Sequence, residues 1–247
     1  MFEPHPERLV IEQVPRHKRT KFLREVRALR VAQYRLNALL ERTACFQQDL
    51  LTHLESLQPY PAQRFVVAFQ SGMLSIEHSD SILRLLVSGL QTSAFALVRP
   101  QFESLLRGVW LAYAATDDWV FNLSQPITPQ NAASAADAPM VGEMLVELKS
   151  RALTQAALVA QLDDFQREGN KALSNYTHGG LHALSRSAES FPPQLVSNVL
   201  RISNAVTLVT GQVLTVLSGS PTHMANWSRI SAAHADCFPA VKAHTSA

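Results

Sequence analysis

Between Lys18 and Leu57 the chain contains neither proline nor glycine. Within that stretch Phe22, Val26, Leu29, Leu36, Leu40, Leu50 and Leu54 keep to one helical face. An uninterrupted run of this kind predicts a single long helix. A helix with only one apolar face needs other elements to bury it, and the remainder of the chain offers helices rather than strands. No segment alternates apolar and polar residues every second position, and only nine of the 247 residues are glycine. The economical architecture is all-α, a single bundle of about six to eight helices with a long first helix.

The punctuation of the chain sets the expected elements. Residues 1–17, rich in proline, read as an extended N-terminal arm, and residues 18–247 as the bundle domain. "QPYPAQ" at 58–63 ends the first helix. A second helix is expected over 62–86, closed by Ser88-Gly89, and a third over 92–115, which Pro100 should kink or divide in two. Periodicity then lapses, and an irregular loop is expected near 117–139. Further helices are expected over 140–151 and 154–176, then a double glycine at 179–180. A short segment near 181–189, a long helix over 194–217 after "FPPQ", and a last piece over 222–236 complete the pattern.

Bulk properties exclude more than they assign. The formal charge of +2 makes no case for a polyanionic partner by itself. Cys45 and Cys237 are isolated, so both read as free thiols of a reducing compartment. The N-terminus lacks the apolar run of a signal peptide, and no window of about 18 apolar residues is uninterrupted, so the expectation is a cytoplasmic chain with no membrane span. No dinucleotide fingerprint, phosphate loop or Ser-His-Asp arrangement is present, and no cofactor is expected.

Three regions concentrate chemistry. Nine Lys or Arg against two acids lie between Arg16 and Arg42. Arg24, Arg27, Arg35 and Arg42 fall opposite the apolar stripe, as either a solvated face or a surface for phosphates or anionic lipid. In the third helix Arg99, Glu103 and Arg107 come at four-residue intervals, with Trp110 three further on. That stripe is either a structural ion network or a cradle for a carboxylate or phosphate, to which Glu77 of the preceding helix is a candidate contributor. Asp80 and Arg84 are set to pair along that preceding helix. Glu77, His78 and Asp80 carry metal-capable atoms but point in different directions, so no metal site is expected. The third region is "KALSNYTHGG" at 171–180. Lys171, Tyr176 and His178 there are candidates for acid-base work at a helix end, or simply for capping and packing.

Together, "SAFALVRPQFESLLRGVWL" and "LSNYTHGG" resemble motifs of a group of bacterial helical proteins designated as domains of unknown function, over about residues 70–185. That resemblance implies an all-α bundle and no defined substrate. The chain is also similar, more loosely, to HEPN-type helical bundles, many of them metal-independent ribonucleases of defence or toxin systems. Their spacing of an arginine and a histidine is matched by Arg229 and His234, and by Lys171 and His178 with lysine in place of arginine. This second resemblance implies RNA as substrate, a histidine moving a proton at the 2′-hydroxyl, and a homodimer. Two functions therefore stand: a noncatalytic bundle binding a protein partner or small anionic ligand, and a HEPN-like ribonuclease.

Overall fold

The structure, a computed structural model, describes residues 16–126, 128–129, 139–177 and 191–239. Within helices, the side chains of residues 16–20, 22 and 168–177 lie outside that description. Eight α-helices and no strand occur among the described residues: α1 Arg16–Glu55, α2 Gln63–Val87, α3 Gln91–Tyr113, α4 Asp117–Ser124, α5 Val141–Arg151, α6 Ala156–Thr177, α7 Pro193–Leu217 and α8 Pro221–Ala233. Two short 3₁₀ turns, Leu153–Gln155 and Ala235–Cys237, complete the order. The all-α architecture expected from the sequence is the architecture found.

α3 is the hub, because it is apolar nearly all round. It lies along α2 on one side, touches α7, and carries α5 and α6 on another. Gly108 permits the close α2–α3 approach: a Cβ there would stand 3.0 Å from the Ala68 carbonyl oxygen. Trp110, Met144 and Leu148 centre one part of the core, Phe95, Ile82 and Leu200 a second, and Phe46, Leu50, Leu214 and Trp227 a third. Phe165 packs against the first two and Phe69 against the first and third, so the core is continuous.

α7 supplies a polar spine inside that core. Thr207 bridges Ser79 of α2 and Gln101 of α3 at 2.6 and 2.9 Å. Thr210 meets Ser75 at 3.1 Å, Asn204 donates to Thr43 at 2.8 Å, and Thr215 meets His53 at 2.9 Å. Buried polar groups cost stability unless partnered, so these bonds fix one register of α7 against α1, α2 and α3. α7 is also long and apolar enough to cross a membrane by length and composition, but two thirds (67%) of its most apolar window is buried within the bundle. Its side chains make it a core element here.

Three expectations need correction. Of the two outcomes expected at Pro100, division does not occur, and α3 runs on through it; the helix is buried on several sides, and its packing holds the segment together. The expected loop near 117–139 begins with a helix, α4. Thr116 caps it, and Asp117 and Asp118 occupy its first turn. Only Val120 of its eight residues is buried, too few positions for a visible period. Finally, the apolar stripe of α1 is not buried throughout. Leu29 is 59% exposed, whereas the stripe is buried or half-buried from Leu36 onward. The helix outruns the elements that pack on it.

Candidate functional site

The stripe on α3 forms only in part. Arg99 Nε donates to Glu103 Oε1 at 2.7 Å, with both side chains about one-third exposed (31% and 32%). Arg107 is half-buried and makes no ion pair or hydrogen bond with any described residue, so the three do not form one network. Trp110 is fully buried, and its indole N–H donates to Glu147 Oε2 of α5 at 2.9 Å. That contact makes it an anchor between helices. Glu77 is exposed and lines a different groove, beside Leu51 and Met73, next to the Asp80–Arg84 pair that forms as expected at 2.6 Å. The structure therefore does not bring Glu77 to Arg99. His78 nearby is half-buried, and burial lowers its pKa.

Lys171 and Tyr176 lie in α6 where the side chains are outside the description, and His178 lies outside the described residues altogether. Arg229 and His234 are described, and they part company. Arg229 is exposed on α8, whereas His234 caps the end of α8 at only 3% exposure, its ring 5.6 Å from that of Phe46. His234 Nε2 is engaged with Asp49 Oδ2 at 2.7 Å, and its buried Nδ1 has no partner among the described residues.

Around Arg229 the structure assembles a site that the sequence did not announce. An open groove of about 520 Å³ runs between α1 and α8, lined by Asp49, Thr52, His53 and Ser56 on one wall and Asn226, Arg229, Ile230 and Ala233 on the other. Asp49, Thr52 and His53 fall at i, i+3 and i+4 on one face of α1, and Ser56 follows in the turn just past its end. α8 reaches this place because Gly219 (φ +70°) turns the chain out of α7, and Pro221 starts the new helix. Trp227 then drops over Gly211, where a Cβ would come within 2.7 Å of the indole, and stacks on His53 at 6.2 Å.

The hydrogens of this groove can be ordered one by one. The Thr215 hydroxyl donates to the Gly211 carbonyl at 2.7 Å, so its oxygen accepts from His53 Nε2–H at 2.9 Å. His53 Nδ1 is then the unprotonated nitrogen, and it accepts from the Asn226 amide at 2.9 Å. Asn226 Oδ1 in turn accepts from Arg229 at 2.6 Å. Burial, reinforced by His223 across an edge-on ring contact at 6.1 Å, holds the His53 pKa below its ordinary value. A neutral, fully bonded His53 is thus a positioning residue: it sets the Asn226 amide, which sets the guanidinium.

His53, Asp49 and Asn226 do not stand out in the sequence. The only local signal is the four-residue spacing of Asp49 and His53, which an amphipathic helix produces without function. The tie to Asn226 spans 173 positions. Among the described residues no group of three or more His, Cys, Asp or Glu is placed to hold a metal ion. A model of a family of unknown function, DUF6988, matches residues 72–240, which takes in α3 through α8 and thus Asn226 and Arg229, while Asp49 and His53 precede it. The matched range extends well beyond the segment that carried the resemblance. No curated protein and no solved structure matches the chain.

Proposed function

The chain belongs to the DUF6988 family, a family of unknown function, and we propose that it is a noncatalytic binding protein that holds a small anionic ligand in the groove between α1 and α8. The observation that carries this reading is Arg229. Its guanidinium lines the groove, is steadied by the Asn226–His53–Thr215 chain, and has no acidic partner among the described residues. An arginine with one donor engaged keeps four others for a carboxylate or phosphate, and fixing it beforehand lowers the entropy lost on binding. The α3 stripe is the weaker anion site, because Glu103 already neutralises Arg99.

Titration with simple carboxylates and with phosphate, followed by ligand-observed NMR, tests the proposal. Binding that drops about tenfold or more in Arg229→Gln supports it, as expected for loss of a charge-assisted bidentate contact. Unchanged affinity in a folded Arg229→Gln protein sinks it.

Metal-independent RNA cleavage is the second reading, and one observation favours it: Arg229 faces the same groove as Asp49, with His234 bonded behind that carboxylate. In this arrangement Asp49, not His234, would meet a 2′-hydroxyl, since His234 is 3% exposed. Incubating RNA with the protein in EDTA, beside Asp49→Asn and Arg229→Gln, separates the two. The binding reading expects intact RNA. Cleavage lost in both variants would replace it.

A further inference from the structure

The groove is electrically divided, and that division specifies more than an anion. Asp49 on α1 and Arg229 on α8 line the same groove but form no ion pair with one another. Asp49 uses Oδ2 on His234, while its side chain remains 59% exposed with Oδ1 uncommitted. The neighbours on the α1 wall sharpen this polarity. Thr52 and Ser56 donate their hydroxyl protons to the backbone carbonyls of Gln48 and His53, at 3.0 and 2.6 Å, which leaves their oxygens as acceptors. His53 has both ring nitrogens occupied. Unused acceptors therefore gather on the α1 wall and unused donors on the α8 wall, at Arg229 and the second N–H of Asn226.

Resting on the reading of the groove as an anion site, we propose that its ligand is a small zwitterion, with a carboxylate or other anionic group on Arg229 and an ammonium group on Asp49. A dianion would set its second charge against Asp49, and a diamine would set one against Arg229; like charges at such contacts oppose binding. A molecule with one charge of each sign meets both walls and displaces only water between them. The groove volume of about 520 Å³ accommodates such a molecule without rearrangement of either helix.

Length-matched probes decide the matter: ω-amino carboxylates from β-alanine to ε-aminocaproate, beside the corresponding dicarboxylates, monocarboxylates and diamines, each titrated by ligand-observed NMR. We expect one amino carboxylate to bind about three- to fivefold tighter than the dicarboxylate and monocarboxylate of its length, a gain in line with one rim ion pair. Asp49→Asn, which keeps an acceptor for His234, should erase that preference, whereas Arg229→Gln should weaken the amino carboxylate and the monocarboxylate alike. Asp49→Glu should retain it. A dicarboxylate that binds as tightly as the amino carboxylate, or a preference that survives Asp49→Asn, overturns the zwitterion and leaves a plain anion groove standing. Failure of every carboxylate to bind overturns both.

Discussion

At the scale of single residues, His53 links stability to pH. Its folded-state pKa is lowered, chiefly by burial and then by His223, so between that value and the ordinary one near 6.5 the unfolded chain carries more of the proton. Stability is therefore complete above about pH 6.5 and declines as pH falls through it. Protonation would also turn Nδ1 into a donor facing the Asn226 amide donor. His78 shifts in the same direction, so we expect His53→Gln to flatten part of the acid-side slope in urea melts traced between pH 7 and 5, and the double variant with His78→Gln to flatten more. An unchanged slope in both would contradict the neutral imidazole. Gly211 makes a second residue-scale prediction. An added methyl meets the Trp227 ring at 2.7 Å and Leu50 at 3.0 Å, and a buried indole has little room to yield. Gly211→Ala should cost about 1–3 kcal/mol by denaturant unfolding. It should also weaken ligand binding, because displaced Trp227 carries α8 away from His53.

Among the elements, α1 is divided by what packs on it. Residues 23–35 are largely exposed, and firm burial begins at Leu36. Leu29→Ser, at a position 59% exposed, should thus change stability by no more than about 0.5 kcal/mol, whereas Phe46→Ala, at a fully buried position, should cost about 3–5 kcal/mol. A large loss at Leu29 would mean that this half of the helix is covered in solution. On the helical wheel Arg42 falls with the solvated arginines. It is instead a tertiary clasp, bonding both carboxylate oxygens of Asp236 at 2.9–3.0 Å and the Ala233 carbonyl at 3.0 Å. The Arg42 guanidinium holds the Asp236 carboxyl below its usual range. Wheel geometry assigns a side of the helix, but only the returning chain decides whether that side meets solvent.

Over the whole molecule, the three regions of core share residues and α7 runs through all of them, so the bundle should unfold as one unit. Trp110 reports the α3–α5 side and Trp227 the α8 side. Fluorescence from single-tryptophan variants retaining one or the other should trace the same urea midpoint as far-UV circular dichroism. Separate midpoints would show α8, and the groove with it, opening before the rest.

The all-α class and most boundaries of the described helices were legible because they rest on local chemistry: the spacing of apolar residues, and backbone limits such as Gly89, which ends α2 at φ +76° with Leu90 and its own N–H returning to the Leu85 and Leu86 carbonyls. The i, i+4 pairs Asp80–Arg84 and Arg99–Glu103 were legible for the same reason. Which polar residues meet was not. Arg229 stands out in the sequence through its spacing to His234, yet folding turns His234 inward and supplies His53, Asn226 and Asp49 in its place. Those contacts join positions more than 170 residues apart along the chain, apart from the neighbouring Asn226 and Arg229. Periodicity acts over a few residues and fixes the helices; the groove arises only where α8, seated by Trp227 over Gly211, comes to rest on α1.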